Sequence, residues 1–214
     1  MFITEISEIS EMNVCKEGVH KIETADRGPI YQRTGRIPIH YETRIRKNLQ
    51  LGIISRSTSA WCSRIVPVTK PDGTLRMCID YRPLNKITKK DIYPLPRIDE
   101  ILDALAGSEY FTSLDATSGY YQIAVDKRDR VKTAFAWKER LFELNRMPFG
   151  LCNAPAILQR TMDKILGNER GICVLPYLDD IIIYSKSLEE HKLHLTTVVS
   201  KLKDAGVCLN RKKC

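Results

Sequence analysis

The sequence predicts an α+β fold in which an antiparallel sheet is backed by helices. Three observations carry that expectation. Two pairs of β-branched, apolar runs are each closed by a short polar turn: 64–69 with 75–79 around Pro71-Asp72-Gly73, and Cys-Val-Leu-Pro-Tyr-Leu with Ile-Ile-Ile-Tyr around Asp179-Asp180. Other stretches space their apolar residues for a helix. Helices and strands do not alternate in the βαβ rhythm that a parallel sheet requires.

Residues 1–29 are acidic and lack periodicity, which reads as an N-terminal extension or linker. Pro29 and Pro38 hold the next, basic stretch extended. A short amphipathic helix follows at 41–51 and ends at Gly52. The hairpin around Pro71-Asp72-Gly73 has a basic tip. Tyr93-Pro-Leu-Pro-Arg97 cannot be helical between its prolines, whereas Ile98, Ile101, Leu102 and Leu105 fall at helical spacing before Gly107. A β-rich run then ends on Asp115. Strand candidates 131–137 and 140–145 are separated by Lys138-Glu139. Asn153 can cap a helix through about Leu166, with Pro155 tolerated in its first turn. Ser187 and Glu190 have the spacing of a capping box for a last helix, through about Ala205, that Gly206 ends.

With 214 residues, 43% of them hydrophobic, the chain can bury a sizeable core. No apolar run approaches the ~20 residues of a membrane span, and the first residues lack the basic and apolar regions of a signal peptide. An intracellular, cytoplasmic protein with no membrane partner is expected. The seven cysteines are odd in number and form no C-x-x-C pair, so free thiols are expected rather than a disulfide framework. His191 and His194 share a helix face, but Cys208 and Cys214 follow at irregular distance, which argues against zinc.

The net charge of +8 is unevenly distributed: residues 31–97 carry fourteen Lys and Arg against four Asp and Glu, while 98–214 carry seventeen against sixteen. A basic block beside near-neutral neighbours suits phosphate binding, although a solvated basic face has the same composition. Asp115 ends one strand, and Asp179-Asp180 lie at a hairpin tip 64 positions later. If the strands are neighbours, three carboxylates converge, and hard divalent cations would stabilise them. Two such ions about 3.5–4 Å apart serve in-line phosphoryl displacement. Asp-Asp in a turn is also ordinary turn chemistry. Here, however, it charges doubly the tip of an apolar hairpin.

Tyr177-Leu-Asp-Asp180 resembles the YxDD box of reverse transcriptases, and Leu114-Asp-Ala-Thr-Ser-Gly-Tyr-Tyr-Gln-Ile123 resembles the motif supplying their first metal-binding aspartate. Leu75-Arg-Met-Cys-Ile-Asp-Tyr-Arg-Pro-Leu-Asn85, Tyr93-Pro-Leu-Pro-Arg97 and Met147-Pro-Phe-Gly-Leu-Cys-Asn-Ala-Pro155 agree in order, as does the closing stretch from His191 to Cys214. The resemblance covers about residues 20–214 and is closest to Gypsy-type long-terminal-repeat retrotransposons.

It implies a right-hand polymerase fold of fingers and palm, with an antiparallel palm sheet backed by helices. Fingers would occupy 30–89 and 123–153, and palm 90–122 and 154–214, the chain ending before the primer grip and thumb. The implied activity is RNA-directed and DNA-directed DNA synthesis on a primer 3′-OH, with an RNA or DNA template, deoxynucleoside triphosphates and two Mg²⁺ ions that Mn²⁺ could replace. Asp115 and Asp179 would hold both metals, Asp180 would complete the catalytic trio, and the Ala116 carbonyl would be a further ligand. Lys70 and Arg76 would grip the triphosphate, with Lys213 nearby. Gly119 would admit the incoming sugar, and Phe149 would pack near the nucleotide. Tyr120 matches an aromatic gate against the ribose 2′-OH, and a core role suits the same residue. Cytoplasm or retroelement particles would be the location.

Two departures stand against the pattern. The 41–52 segment is shorter by about four residues, roughly one helical turn, and family members continue into a thumb and a ribonuclease H domain. The intact aspartates favour a polymerase core. The missing thumb favours a non-catalytic nucleic-acid-binding remnant, and a structural interaction protein is the third reading.

Overall fold

The computed structural model describes residues 13–33, 41–69, 75–210 and 213–214. In chain order its first elements are β1 (Val19–His20), α1 (Tyr41–Gln50), β2 (Ile54–Arg56), β3 (Arg64–Thr69), β4 (Leu75–Asp80) and α2 (Arg82–Ile87). Then come α3 (Ile98–Leu105), β5 (Tyr110–Asp115), β6 (Ala124–Val125), β7 (Phe135–Trp137) and β8 (Arg140–Leu144). The series closes with α4 (Ala154–Leu166), β9 (Val174–Tyr177), β10 (Asp180–Ser185) and α5 (Leu188–Asp204). These elements form two compact units. One contains Val19–Lys90 and Ala124–Ala154; the other contains Asp91–Ile123 and Pro155–Cys214 together with residues before Val19.

The first unit holds two antiparallel arrangements. β3 and β4 pair from Arg64 opposite Asp80 to Thr69 opposite Leu75. The expected basic tip, 70–74, lies outside the described residues. β8 runs between β2 and β7, and Phe135 lies opposite Phe142, their rings stacked at 5.9 Å. Ile22, Ile45, Ile53, Leu84, Phe135 and Met147 are fully buried, and the Tyr81 hydroxyl inside this core donates to the Thr133 carbonyl at 3.0 Å. Asp80, at the end of β4, takes two hydrogen bonds from the Arg82 guanidinium, which hold its carboxyl at about 2.

The described part of the expected linker at 1–29 behaves otherwise. β1 runs parallel to β6, Ile22 N–H donates to Asp129, and Ala25 N–H donates to the Ile87 carbonyl. Single anchor residues rather than a periodic face do the docking, so no pattern announced it. His20 is buried here, and desolvation pushes its imidazole down to about 4, so it is neutral at physiological pH.

In the second unit β10 lies between β5 and β9, antiparallel to both. Ile181, Ile183 and Val174 are fully buried, and α5 packs on β10 and β5 through a face that buries Val198 and Leu202. Ser187 caps α5 by accepting from Glu190 N–H at 3.3 Å, and Gly206, at φ +80°, follows its end. Helix α3 forms where the spacing predicts it, yet it buries none of its residues: Ile98 is 70% exposed and Leu102 62%. Among the described residues no helix is long and apolar enough to cross a membrane.

The β7–β8 connection generates a prediction. Lys138 and Glu139 both have positive φ, +45° and +56°, as a two-residue type I′ hairpin loop demands. L-residues other than Asn and Asp adopt that region at a cost, whereas glycine does so freely. Glu139→Gly should therefore raise stability by about 0.5–1 kcal/mol, read as a higher urea midpoint at unchanged m-value. A lower midpoint would mean that the loop carries no such strain.

Candidate active site

The second unit brings the predicted carboxylates to one end of its sheet. Residues Ile181 to Ser185 pair in register with Leu114 back to Tyr110, which sets Asp180 opposite Asp115 at the strand ends. Paired residues project from the same face of a sheet. One step further, Ala116 N–H donates to the Asp179 carbonyl at 2.8 Å. The edge of β5 away from β10 is closed by residues 208–210. Thr117 N–H donates to the Cys208 carbonyl and Asn210 N–H to the Asp115 carbonyl. Gln122 locks this edge, its amide donating to the Thr117 and Cys208 carbonyls and its oxygen accepting from Cys208 N–H.

Asp179 sits in a two-residue turn whose first member, Leu178, has φ +57°. A leucine in that conformation needs outside support. It comes from Gln159 on α4, fully buried, whose side-chain oxygen accepts from Leu178 N–H at 3.1 Å while its amide donates to the Pro176 carbonyl at 2.9 Å. The same amide donates to Asp163, which also accepts from the Tyr93 hydroxyl at 2.6 Å and pairs with Arg170 at 3.0 Å. Arg160 lies over the Tyr93 ring and bonds Asp91. The Tyr93-Pro-Leu-Pro-Arg97 block is thus tied through α4 to the aspartate hairpin.

Gly119 explains its own identity. A Cβ there would stand 2.4 Å from Asp179 Oδ1, so the carboxylate occupies the space that a side chain would fill. Tyr120 is buried beside it, and its phenol is pushed up to about 12, first by desolvation and then by the negative charge of Asp179. Lys213 Nζ stands 3.7 Å from Asp115 Oδ2.

Asp115, Ala116, Gly119, Tyr120, Asp179, Asp180 and Lys213 therefore share the second unit. Arg76 lies on β4 opposite Val68, and Phe149 follows β8, both in the first unit; Lys70 lies outside the described residues. Register sets Asp180 opposite Asp115 with Asp179 in the adjoining turn, but among the described residues no three Asp, Glu, His or Cys side chains form a group that could hold a metal ion. Like charges keep such a group apart, and Asp179 turns toward Gly119. The donor set still fits a hard divalent ion: it is all carboxylate oxygen, and Mg²⁺ takes only one or two carboxylates when phosphates supply the rest.

His191 and His194 serve the fold. Both Nδ1 atoms meet the Ser185 hydroxyl, at 2.9 and 2.8 Å, and His191 Nε2 meets Thr112 Oγ1 at 2.7 Å. One hydroxyl proton cannot serve both imidazoles, so one of them carries its proton on Nδ1. Gln159 and Gln122 escaped the sequence reading. The legible signal for Gln159 was a polar residue on the α4 face that also carries Ala156, Met162 and Leu166.

Residues 68–214 match the family model described as reverse transcriptase (RNA-dependent DNA polymerase). The chain is 44% identical over 170 residues to the Transposon Tf2-3 polyprotein of Schizosaccharomyces pombe, covering 79% of the chain and 13% of that polyprotein. It is 42% identical over 205 residues to the retrovirus-related Pol polyprotein from transposon 297 of Drosophila melanogaster, covering 91% and 19%. A foamy viral protease-reverse transcriptase in complex with RNA/DNA hybrid superposes with a TM-score of 0.84 at 28% identity, over 95% of this chain and 28% of that one. The dRH form in complex with double-stranded DNA gives 0.83 at 29%, over 95% and 36%. The chain thus spans less than a fifth of the length of these two polyproteins.

The Gln159 clamp predicts that Gln159→Leu, similar in volume, leaves the Leu178 N–H and the Pro176 carbonyl without their partner. A loss of about 2–4 kcal/mol is expected in urea unfolding. A loss below about 0.5 kcal/mol would show that the turn holds its shape unaided.

Proposed function

The chain belongs to the reverse transcriptase (RNA-dependent DNA polymerase) family, and from that premise we propose that it forms the nucleotidyl-transfer core of a retrotransposon Pol protein of the Gypsy type. The second unit is the palm and the first the fingers. The observation that carries this reading is Asp180 opposite Asp115, with Asp179 in the adjoining turn against a glycine that has room for nothing else. A purely structural turn needs neither a facing carboxylate nor a glycine at that contact.

Two Mg²⁺ ions, or Mn²⁺ in their place, would be held by Asp115 and Asp179 with Asp180 and the Ala116 carbonyl, and would activate the primer 3′-oxygen and stabilise the leaving pyrophosphate. The protein's own contribution is to bind and orient, since phosphoryl transfer leaves it little covalent work. The β5–β10 ladder and the Gln159 clamp fix where the carboxylates stand. Lys213, already beside Asp115, offers positive charge to a phosphate that enters there. Lys70 and Arg76 of the fingers grip the triphosphate, and Phe149 packs near the nucleotide. The Tyr120 ring is the gate under the sugar, and its raised pKa keeps it neutral there at all physiological pH. Template and primer are RNA or DNA, and the substrates are deoxynucleoside triphosphates.

Primer extension by this 214-residue chain with Mg²⁺ or Mn²⁺ tests the reading. Extension should occur and should fall at least about 10²-fold in Asp179→Asn, which keeps the shape and loses the charge, while primer–template affinity stays within about twofold because phosphate contacts lie elsewhere. Equal extension by mutant and parent would remove Asp179 from catalysis. Binding by the parent without any extension would instead make it a nucleic-acid-binding remnant.

Tyr120→Val should raise ribonucleotide incorporation relative to deoxyribonucleotide in single-nucleotide extension by about tenfold or more, since one steric contact of 1–2 kcal/mol carries the discrimination. Unchanged selectivity would leave Tyr120 a core residue only.

A further inference from the structure

Between β5 and β6 a 3₁₀ turn, Gly119–Gln122, ends on a buried glutamine. A buried side-chain amide destabilises a fold unless its donors and its oxygen all find partners. Those of Gln122 find backbone alone. The amide donates to the Thr117 carbonyl at 2.8 Å and to the Cys208 carbonyl at 2.9 Å, and the oxygen accepts from Cys208 N–H at 2.8 Å. The main-chain carbonyl of Gln122 accepts from Cys15 N–H at 2.8 Å, and Lys16 N–H donates to the Ala205 carbonyl at 3.0 Å. The glutamine and the end of α5 are therefore tied to the same short stretch of chain.

The segment that Gln122 grips has no apolar anchor of its own. Past Val207, none of the described residues buries its side chain, so residues 208–210 depend on hydrogen bonds to stay beside β5. The bridge between Ala116 and Leu209 supplies Thr117 N–H to the Cys208 carbonyl and Asn210 N–H to the Asp115 carbonyl. Gln122 adds its own pair, so that one side chain fixes Cys208 at both its N–H and its carbonyl. From there the chain turns. Lys213 N–H donates to the Asn210 carbonyl at 2.9 Å, and Lys213 Nζ stands 3.7 Å from Asp115 Oδ2. A continuous run of contacts thus leads from the buried amide to the ammonium beside the carboxylates.

On the basis of the polymerase reading, we propose that Gln122 is a positioning residue for the incoming deoxynucleoside triphosphate. It holds residues 208–210 in place and so sets where Lys213 meets the phosphates, without touching them itself. A lysine is a point charge on a flexible stem, and where its backbone is fixed decides what that charge can reach. Asp115 and Asp180 owe their places to the β5–β10 ladder, which does not involve Gln122. Loosening 208–210 therefore acts on nucleotide affinity and leaves the chemical step.

Gln122→Met keeps the length of the side chain and removes its hydrogen bonds. With Mg²⁺ and a primer–template whose 3′ end is a dideoxynucleotide, so that no chemistry follows, the Kd of dTTP should weaken about tenfold, while kcat in single-nucleotide extension stays within about threefold. Lys213→Met should weaken dTTP similarly, and the double variant should match Lys213→Met within about twofold, because Gln122 acts through that lysine. Hydrogen exchange reads the same hold without nucleotide: the Cys208 and Asn210 amides should exchange about tenfold faster or more in Gln122→Met, with those in the middle of α5 unchanged.

Unchanged dTTP affinity or unchanged exchange in Gln122→Met would overturn the proposal. So would additive losses in the double variant, a fall in kcat at constant Kd, or a parent chain that does not bind dTTP. If Gln122→Met does not fold, Gln122→Glu, which retains the acceptor for Cys208 N–H, takes its place in each measurement. Failure of both to fold would make the glutamine a folding residue only and overturn the proposal as well. A parent that binds dTTP yet never extends a primer would sink the catalytic reading alone, and the affinities and exchange rates would still decide the role of Gln122.

Discussion

One carboxylate faces another across an antiparallel ladder, and the second unit is organised around that contact. Like charges directly opposite each other destabilise a sheet, and Asp180 opposite Asp115 is such a pair. Register is the reason it persists. Ile181 and Ile183 are fully buried, and a slip of one residue would turn both to the opposite face. The register that buries these isoleucines is the one that brings the aspartates together, so the apolar strands supply the free energy that the charged end costs. The Lys213 ammonium stands beside the pair on the Asp115 side. Among the described residues the three acids do not form a closed group of ligands on their own.

The turn between β9 and β10 adds a second local conflict, settled from two directions. Leu178 is in a conformation suited to glycine, and a buried glutamine on a different element binds both its N–H and the Pro176 carbonyl. Asp179 needs space in a crowded corner, and Gly119 provides it by having no side chain. Neither support lies near the turn in sequence. Where local preference and tertiary demand disagree this sharply, function is the common reason.

The sequence showed this hairpin clearly because β-branched runs and a charged tip are local properties; the capped start of α5 and the strand pair flanking Lys138-Glu139 were legible for the same reason. Helix α3 was legible as a helix from its 3.6-residue period, but period alone cannot say whether a face is covered, and Ile98 and Leu102 stand in solvent. The docking of residues before Ile30 left no periodic trace, since Cys15, His20 and Ile22 are buried singly. For the site, the carboxylates and Gly119 were visible as a motif. Gln159 was legible only as a polar residue on an apolar helix face, because its hydrogen bonds reach a backbone 17 to 19 residues away and have no local signature.

Among the described residues the chain passes between the two units after Gly18, Lys90, Ile123 and Ala154. On a ribosome this imposes an order of events. The first unit cannot close until residue 154 has emerged, and β5 must wait for β10, whose first residue is Asp180. At roughly 5–20 residues per second that interval lasts several seconds. Throughout it, the nascent strand Tyr-Phe-Thr-Ser-Leu-Asp offers an unpaired ladder edge with two aromatic rings to any neighbouring chain. Translation speed over residues 116–180 thus becomes a determinant of yield, and polysomes carrying several copies at once are where this protein is most exposed to misassembly.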